Sequence, residues 1–476
     1  MDIQQSPGDD SAGLGIVSKQ DLISNSLVLT VPSNVALSIE SPGDGPDDRG
    51  VLKLVDRRTL DKLPWYAQFA VYLYKLDHVE SQKTKNELNM KPWLDSLPRT
   101  FDTPIHWSIS QRTELQYDFL LDSIERQQVQ WEQFYKSIRT ADNSEINNMT
   151  WDDFLWGCEI ARSRAFSGAY TGSAFNPYSY AFTLLLVLAY VGLGIGTLEQ
   201  AANGAGLVFC AQVLKDFVIP KLFKKKRYVI CPLMDMANHK SLGTTGEVSF
   251  EFFGDAYSLA VSNGASVPSG KELYISYGAR SNDQLLQYYG FVEPNNPHDV
   301  YIMPPLREWN IAALEKACGR TFSPGRLQKL DRAGLLGGRL NTEGDTADGE
   351  EIANRGGGVV VSRAAGVDPA VMQALRALVS TDREWKDAGE AIGNFVEENS
   401  AGRENERLAR LAAKTALELE LAGKATTLEQ DEASLKQMEQ MKSIDAGIEE
   451  KLTLLFRIEK KKLLAESIRK LNTEYS

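Results

Sequence analysis

Between Tyr180 and Gly196 the chain runs for 17 residues without a charged side chain. A segment of that kind gains little from water, so it belongs either in a protein core or in lipid. A membrane-crossing helix needs about 20 apolar residues, and this run falls short. It also lies between segments assigned to one core, and the stretch that follows to Gly206 is rich in Gly and Ala. A buried helix is therefore expected, with no membrane partner.

The rest of the chain has ordinary globular composition, 43% hydrophobic and 24% charged over 476 residues, enough for two or three domains. A net charge of -12 opposes a nucleic-acid partner, which would call for a basic footprint. The short basic runs Lys224 to Arg227 and Lys460 to Lys462 read as solvated ends of elements. Cys158, Cys210, Cys231 and Cys318 are scattered, with no zinc-knuckle spacing, so no metal and a reducing compartment are expected. Met1 to Ser11 is acidic and polar, unlike a signal or transit peptide, so any targeting segment is expected to lie outside this chain.

Period and punctuation divide the chain. Residues 13 to 38 read as two short strands around a turn, and residues 40 to 50, crowded with Gly, Pro and charge, as a loop. From Leu63 to about Ile138 the period is helical, with Trp65, Phe69, Tyr72, Leu73 and Leu76 on one face. Thr150 with Asp153 reads as a capping box opening another helix. Residues 228–234, 247–261 and 273–277 read as strands, and Ser281 to Tyr289 as a helix. Gly334 to Gly366 reads as a loop, and 402–472 as two long antiparallel helices linked near Gly423 to Thr427. A domain boundary is placed near Pro297.

Four stretches then stand out: AGLGIV at 12–17, RSRAFSG at 162–168, PLMDMANH at 232–239 and ISYGARSNDQLLQYYGF at 275–291. In this order they resemble the SET-domain protein methyltransferases, specifically the branch similar to the Rubisco large-subunit lysine methyltransferases. The resemblance implies an α+β fold: a SET domain of short β-sheets over 13–296 with a helical insertion at about 58–145. A mainly α-helical substrate-binding domain would follow at 297–476. It implies S-adenosylmethionine as methyl donor and lysine of a non-histone protein, such as a plastid enzyme, as acceptor. A monomer is expected, its protein substrate docked on the C-terminal helices. The location implied is the chloroplast, the alternative cytoplasmic.

By the same resemblance, residues Ala12, Gly13 and Leu14 approach the donor through their backbone, as a glycine loop allows. Ala12 stands where the family often has an acid. Arg164 pairs with the donor carboxylate, for which a planar guanidinium is suited. Arg162 and Arg164 are about 200° apart on a helix, so one of them at most faces the pocket. Asp235, Asn238 and His239 contact the donor's amine and adenine. Tyr277 is the catalytic tyrosine that orients the acceptor nitrogen. Tyr289, Gly290 and Phe291 contact the donor, with Tyr289 also lining the substrate channel. Phe166 would pack on the stem of the acceptor lysine. Methyl transfer from a sulfonium is an in-line displacement, so positioning is the main demand on all these groups.

Other readings stay open. A protein-histidine methyltransferase would keep the same donor site. A catalytically weak SET-fold scaffold is compatible with Ala12. Leu184 to Val191 followed by Gly192 to Gly196, with Asp216 further on, imitates a Rossmann-like glycine loop, but no acid precedes the glycines and no alternating strands and helices follow.

Overall fold

In the first half of the chain, Gly, Pro and Asn interrupt apolar runs after a few residues, so the strands are short. A computed structural model describes residues 2–5, 14–40, 54–79, 90–139, 145–169, 177–193, 208–209, 226–251, 256–336, 358–441 and 447–473. The chain divides into two compact units, Met1–Thr100 with Val129–Tyr277, and Phe101–Gln128 with Gly278–Ser476.

The first unit holds β1 (Asp2–Gln5), β2 (Leu14–Val17), β3 (Leu27–Pro32), β4 (Leu37–Glu40), β5 (Phe166–Ala169), β6 (Lys226–Ile230), β7 (Asn238–His239), β8 (Gly246–Glu251), β9 (Ala256–Val261) and β10 (Tyr274–Ile275). They form antiparallel sheets ordered β1-β2, β3-β9-β8 and β4-β6-β5, and one parallel pair, β7 with β10. β6 stops just before Cys231-Pro232, since proline has no N–H for the ladder.

Two helices of this unit, Trp65–Tyr74 and Trp151–Arg164, pack on each other. Phe69, Leu73, Phe154 and Ile160 are buried. Gly157 permits the close crossing, because a Cβ there would lie 2.6 Å from the Ala70 Cα. The second of these helices opens on the expected capping box. Asp153 N–H donates to Thr150 Oγ1 at 3.1 Å, and Asp153 Oδ2 accepts from Thr150 N–H at 2.8 Å.

The second unit is helical around one small antiparallel sheet, ordered β11 (Val300–Met303), β12 (Val359–Ser362), β13 (Gly366–Val367). Tyr117, Leu120 and Ile124 share its core with Tyr301, Leu375, Leu408 and Phe456. Ion pairs are buried beside that core. Lys460 Nζ meets Asp283 Oδ2 at 2.6 Å and Asp299 Oδ1 at 2.8 Å, and Arg376 meets Glu406 at 2.5 Å.

The structure differs from the sequence reading in five places. The helix Pro177–Gly192 is not buried, for Phe182, Leu184, Leu185, Leu186 and Leu188 are exposed. It lies in an insertion between paired β5 and β6, so its apolar character does not make it part of the core. The boundary expected near Pro297 falls inside the second unit, because the helix Asn282–Tyr289 and β11 both pack on the C-terminal helix Ile448–Thr473. Residues Phe101–Gln128 of the expected 58–145 insertion also belong to the second unit. The loop expected over 334–366 contains β12, whose Val359, Val360 and Val361 pair with β11. The two long C-terminal helices are three: Arg403–Ala422, Leu428–Met441 and Ile448–Thr473. Among the described residues no helix is long and apolar enough to cross a membrane.

Candidate active site

Arg162 and Arg164 leave the end of one helix in different directions. Arg162 lies over the rings of Trp65 and Tyr66, at 5.7 and 5.4 Å from their centroids. Arg164 turns to Asp235, its Nη1 donating to Asp235 Oδ2 and to the Asp235 carbonyl, both at 3.0 Å. Asp235 also accepts from Trp93 Nε1 at 3.3 Å. Burial pushes the Asp235 carboxyl above the usual carboxylate range, against the pull of Arg164. The guanidinium keeps one buried N–H, Nε, without a partner.

Before Asp235 the backbone takes a sharp step at Leu233, with φ +73° in a residue that is not glycine. A short 3-10 turn, Met234–Met236, then delivers the chain into β7. There Asn238 pairs with Tyr274 and His239 with Ile275 of β10. Asn238 Nδ2 donates to Glu272 Oε1 at 2.7 Å and to the Leu14 carbonyl at 3.2 Å. A Cβ on Gly15 would lie 2.0 Å from that same Glu272 Oε1, so glycine is what lets β2 approach so closely.

The His239 ring stacks on the Tyr277 ring, with centroids 4.9 Å apart. His239 Nδ1 accepts the backbone N–H of Tyr277 at 3.0 Å, which leaves the ring proton on Nε2, facing Ser241 Oγ at 3.1 Å. The Tyr277 hydroxyl donates to the Ala237 carbonyl at 2.8 Å. Its orientation is set by that bond. A hydroxyl has one proton and two lone pairs, so it offers an incoming N–H an acceptor.

Leu14, Arg164, Asp235, Asn238, His239 and Tyr277 are thus linked within the first unit, in three hydrogen-bonded groups. Phe166 opens β5 opposite Val229. Ala12 and Gly13 lie outside the described residues. Tyr289, Gly290 and Phe291 belong to the second unit, where the rings of Tyr289 and Phe291 meet edge-on at 6.3 Å. Gly290 caps the helix Asn282–Tyr289 with φ +73°. Sequence reasoning missed Glu272, Trp93 and Gly15. Glu272 carried no local signal, for it follows Ser269, Gly270 and Lys271 just before the run 273–277 read as a strand.

Comparison with known proteins bears on the fold and on the C-terminal region. The family described as Rubisco LSMT substrate-binding matches residues 326–464. The Rubisco large-subunit N-methyltransferase of Pisum sativum, named as chloroplastic, is 24% identical over 88% of this chain and 69% of its own length. The chloroplastic fructose-bisphosphate aldolase-lysine N-methyltransferase of Arabidopsis thaliana is 22% identical over 61% of this chain, which spans about half (48%) of that protein. The solved SET domain of LSMT bound to lysine and AdoHcy superposes with a TM-score of 0.58 at 18% identity, over 99% of this chain and 87% of that one. The chain thus shares the fold of LSMT, and its residues 326–464 resemble the Rubisco LSMT substrate-binding family.

Proposed function

We propose that this chain is an S-adenosylmethionine-dependent protein-lysine N-methyltransferase that acts, as a monomer, on a non-histone protein of the plastid. One observation supports this above the others: the Tyr277 hydroxyl is fixed by the Ala237 carbonyl next to Asn238 and His239. The fold is that of a protein solved with lysine and AdoHcy.

Bound donor would supply an electrophilic methyl on a sulfonium. The residues present fit such a donor on one point of chemistry, since the unpartnered buried Nε of Arg164 suits a carboxylate. Asn238 would stand at the donor ammonium, its amide nitrogen holding Glu272 Oε1 and the Leu14 carbonyl. Tyr277 Oη would accept an N–H of the attacking amine and so aim the nitrogen lone pair. Phe166 would pack on the lysine stem. His239 would act by holding the backbone N–H of Tyr277 rather than as a base. The amine must arrive neutral, and with an ordinary pKa near 10.4 only ~0.1% of lysine is neutral at pH 7.4. The second unit would dock the protein that carries the lysine.

The test is labelled-methyl transfer into a plastid lysate, with site mapping and single-turnover rates from pH 6 to 10. The expected result is methyl on a lysine Nζ of one or a few proteins, with a rate that rises past pH 8. Methyl on an imidazole, with a plateau by pH 7.5, would overturn the lysine assignment. Absence of any labelled protein would overturn the enzyme assignment.

A further inference from the structure

The helix Pro177–Gly192 takes no part in the site described above. Phe182, Leu184, Leu185, Leu186 and Leu188 are each 55–62% exposed. Thr183 and Val187 are partly buried and mark the side on which the helix leans. At about 100° per residue, the exposed positions span about 200° of the helix circumference. A groove or a partner helix takes up a stripe of about 100°, so either would leave much of this surface in water. Lipid encloses a wide arc. A contiguous apolar surface of this kind marks an interaction or membrane site.

Length and charge narrow the arrangement. Sixteen helical residues extend about 24 Å, short of the ~30 Å hydrocarbon core yet longer than the half of it that one leaflet supplies, so the helix lies along the bilayer surface and does not cross. The sequence has no charged side chain from 165 to 198. It then returns to β6 through Lys221, Lys224, Lys225, Lys226 and Arg227, five bases in seven residues of a chain whose net charge is -12. β5 and β6 are antiparallel neighbours, with Ala169 opposite Lys226. The insertion therefore leaves and re-enters the domain at one place, and the bases that open β6 stand there. An apolar helix followed in the sequence by a basic run is the pair of signals that holds a protein on an anionic bilayer.

We propose that the helix Pro177–Gly192 is an interfacial anchor that attaches this protein to the surface of a bilayer rich in anionic lipid. It does so independently of methyl transfer. The test is co-sedimentation of the full chain with vesicles of phosphatidylcholine alone or mixed with phosphatidylglycerol. Binding should be at least about tenfold stronger on the anionic vesicles and should fall steeply with salt. Replacing Leu184, Leu185 and Leu188 together by Gln should lower it at least about tenfold, with the melting temperature and the methyl-transfer rate kept, since these side chains already face water. A separate Phe182→Trp variant should be quenched by brominated lipid, which reads insertion even if the triple variant fails to fold. Equal binding by the parent and a folded triple variant would overturn the proposal. So would failure of the parent to bind either vesicle, including the case in which it forms a dimer that the same Leu changes dissolve.

Discussion

Arg162 and Arg164 stand two residues apart, yet truncating them should have unlike consequences. Arg162→Ala removes a cation set against two rings, worth about 0.5–1 kcal/mol at such a site. Arg164→Ala strands the buried Asp235 carboxylate, and breaking a buried pair from one side costs about 3–5 kcal/mol. Donor affinity should fall in Arg164→Ala alone, beside a clear loss of thermal stability, as titration calorimetry and melting would report. Damage from Arg162→Ala with none from Arg164→Ala would reverse the assignment. Tyr277→Phe tests a subtler loss, because only the hydroxyl bonded to Ala237 goes. Single-turnover transfer should slow by ~10²-fold or more with donor affinity retained, as expected when one positioned polar group is lost from a transition state. Transfer at the parent rate would make Tyr277 a core aromatic. The contrast between the two arginines was legible beforehand, since a helix separates neighbours two apart by about 200°. The partner of Arg164 was not. Asp235 stands 71 positions away, and the resemblance assigns it to the donor. Glu272 was missed for the same reason: no local pattern in a sequence says which distant amide a buried carboxylate will hold.

Elements place these residues, and two elements are open to direct test. The helix that ends in Arg164 crosses the helix Trp65–Tyr74 at Gly157, where a methyl group would collide with the Ala70 backbone. Gly157→Ala should therefore force the helices apart at a cost of about 1–3 kcal/mol, although alanine is the better helix former. Denaturant melting reads the cost, and a more stable variant would show that the crossing has slack. The C-terminal helices offer a test by pH. Asp431 accepts from Arg457, from Lys461 Nζ at 2.5 Å and from Thr426 Oγ1 at 2.8 Å. Burial alone would raise its pKa, but these bonds outweigh burial and hold the carboxyl below the ordinary range. A folded pKa below the unfolded value adds stability at every pH above the unfolded value, near 3.9, and loses it as pH falls toward the folded one. The urea midpoint should thus hold level through neutral pH with respect to this group and drop below about pH 4. In Asp431→Asn that part of the acid decline should vanish, from a baseline lowered by about 3–5 kcal/mol. An unchanged acid limb in the variant would show that this cluster does not contribute to it. Periodicity had located these helices, along with the turn at Gly423. It did not reveal the third helix, although Ser443, Asp445 and Gly447 interrupt the helical composition between Met441 and Ile448.

On the scale of the whole molecule, chain order and compact unit do not coincide. Motif order and helix content made an α+β chain with a helical C-terminal half legible, and the fold agrees. The boundary was not legible. A change of composition marks where a helical stretch begins, whereas the unit is defined by which apolar faces bury one another. Phe101–Gln128 precedes most of the SET-fold strands, yet Trp107, Leu115, Tyr117, Leu120 and Ile124 are buried in the core built by residues after Gly278. Tyr117 even takes part in the sheet edge, its hydroxyl accepting the Ile302 N–H at 2.7 Å. A chain ended at Asn296 therefore does more than remove a docking domain. It uncovers five large apolar side chains worth about 1.5–3 kcal/mol each when buried, together about 7–15 kcal/mol. That matches the entire stability of an ordinary domain, about 5–15 kcal/mol. The expected outcome is a product that aggregates or melts without cooperativity, with amide exchange fast across 117–124. Loss of methyl transfer in such a truncation would then say nothing about docking. A soluble 1–296 chain with a cooperative melt and parental protection at 117–124 would show that this segment finds its partners within the first unit, and would return the boundary to the neighbourhood of Pro297.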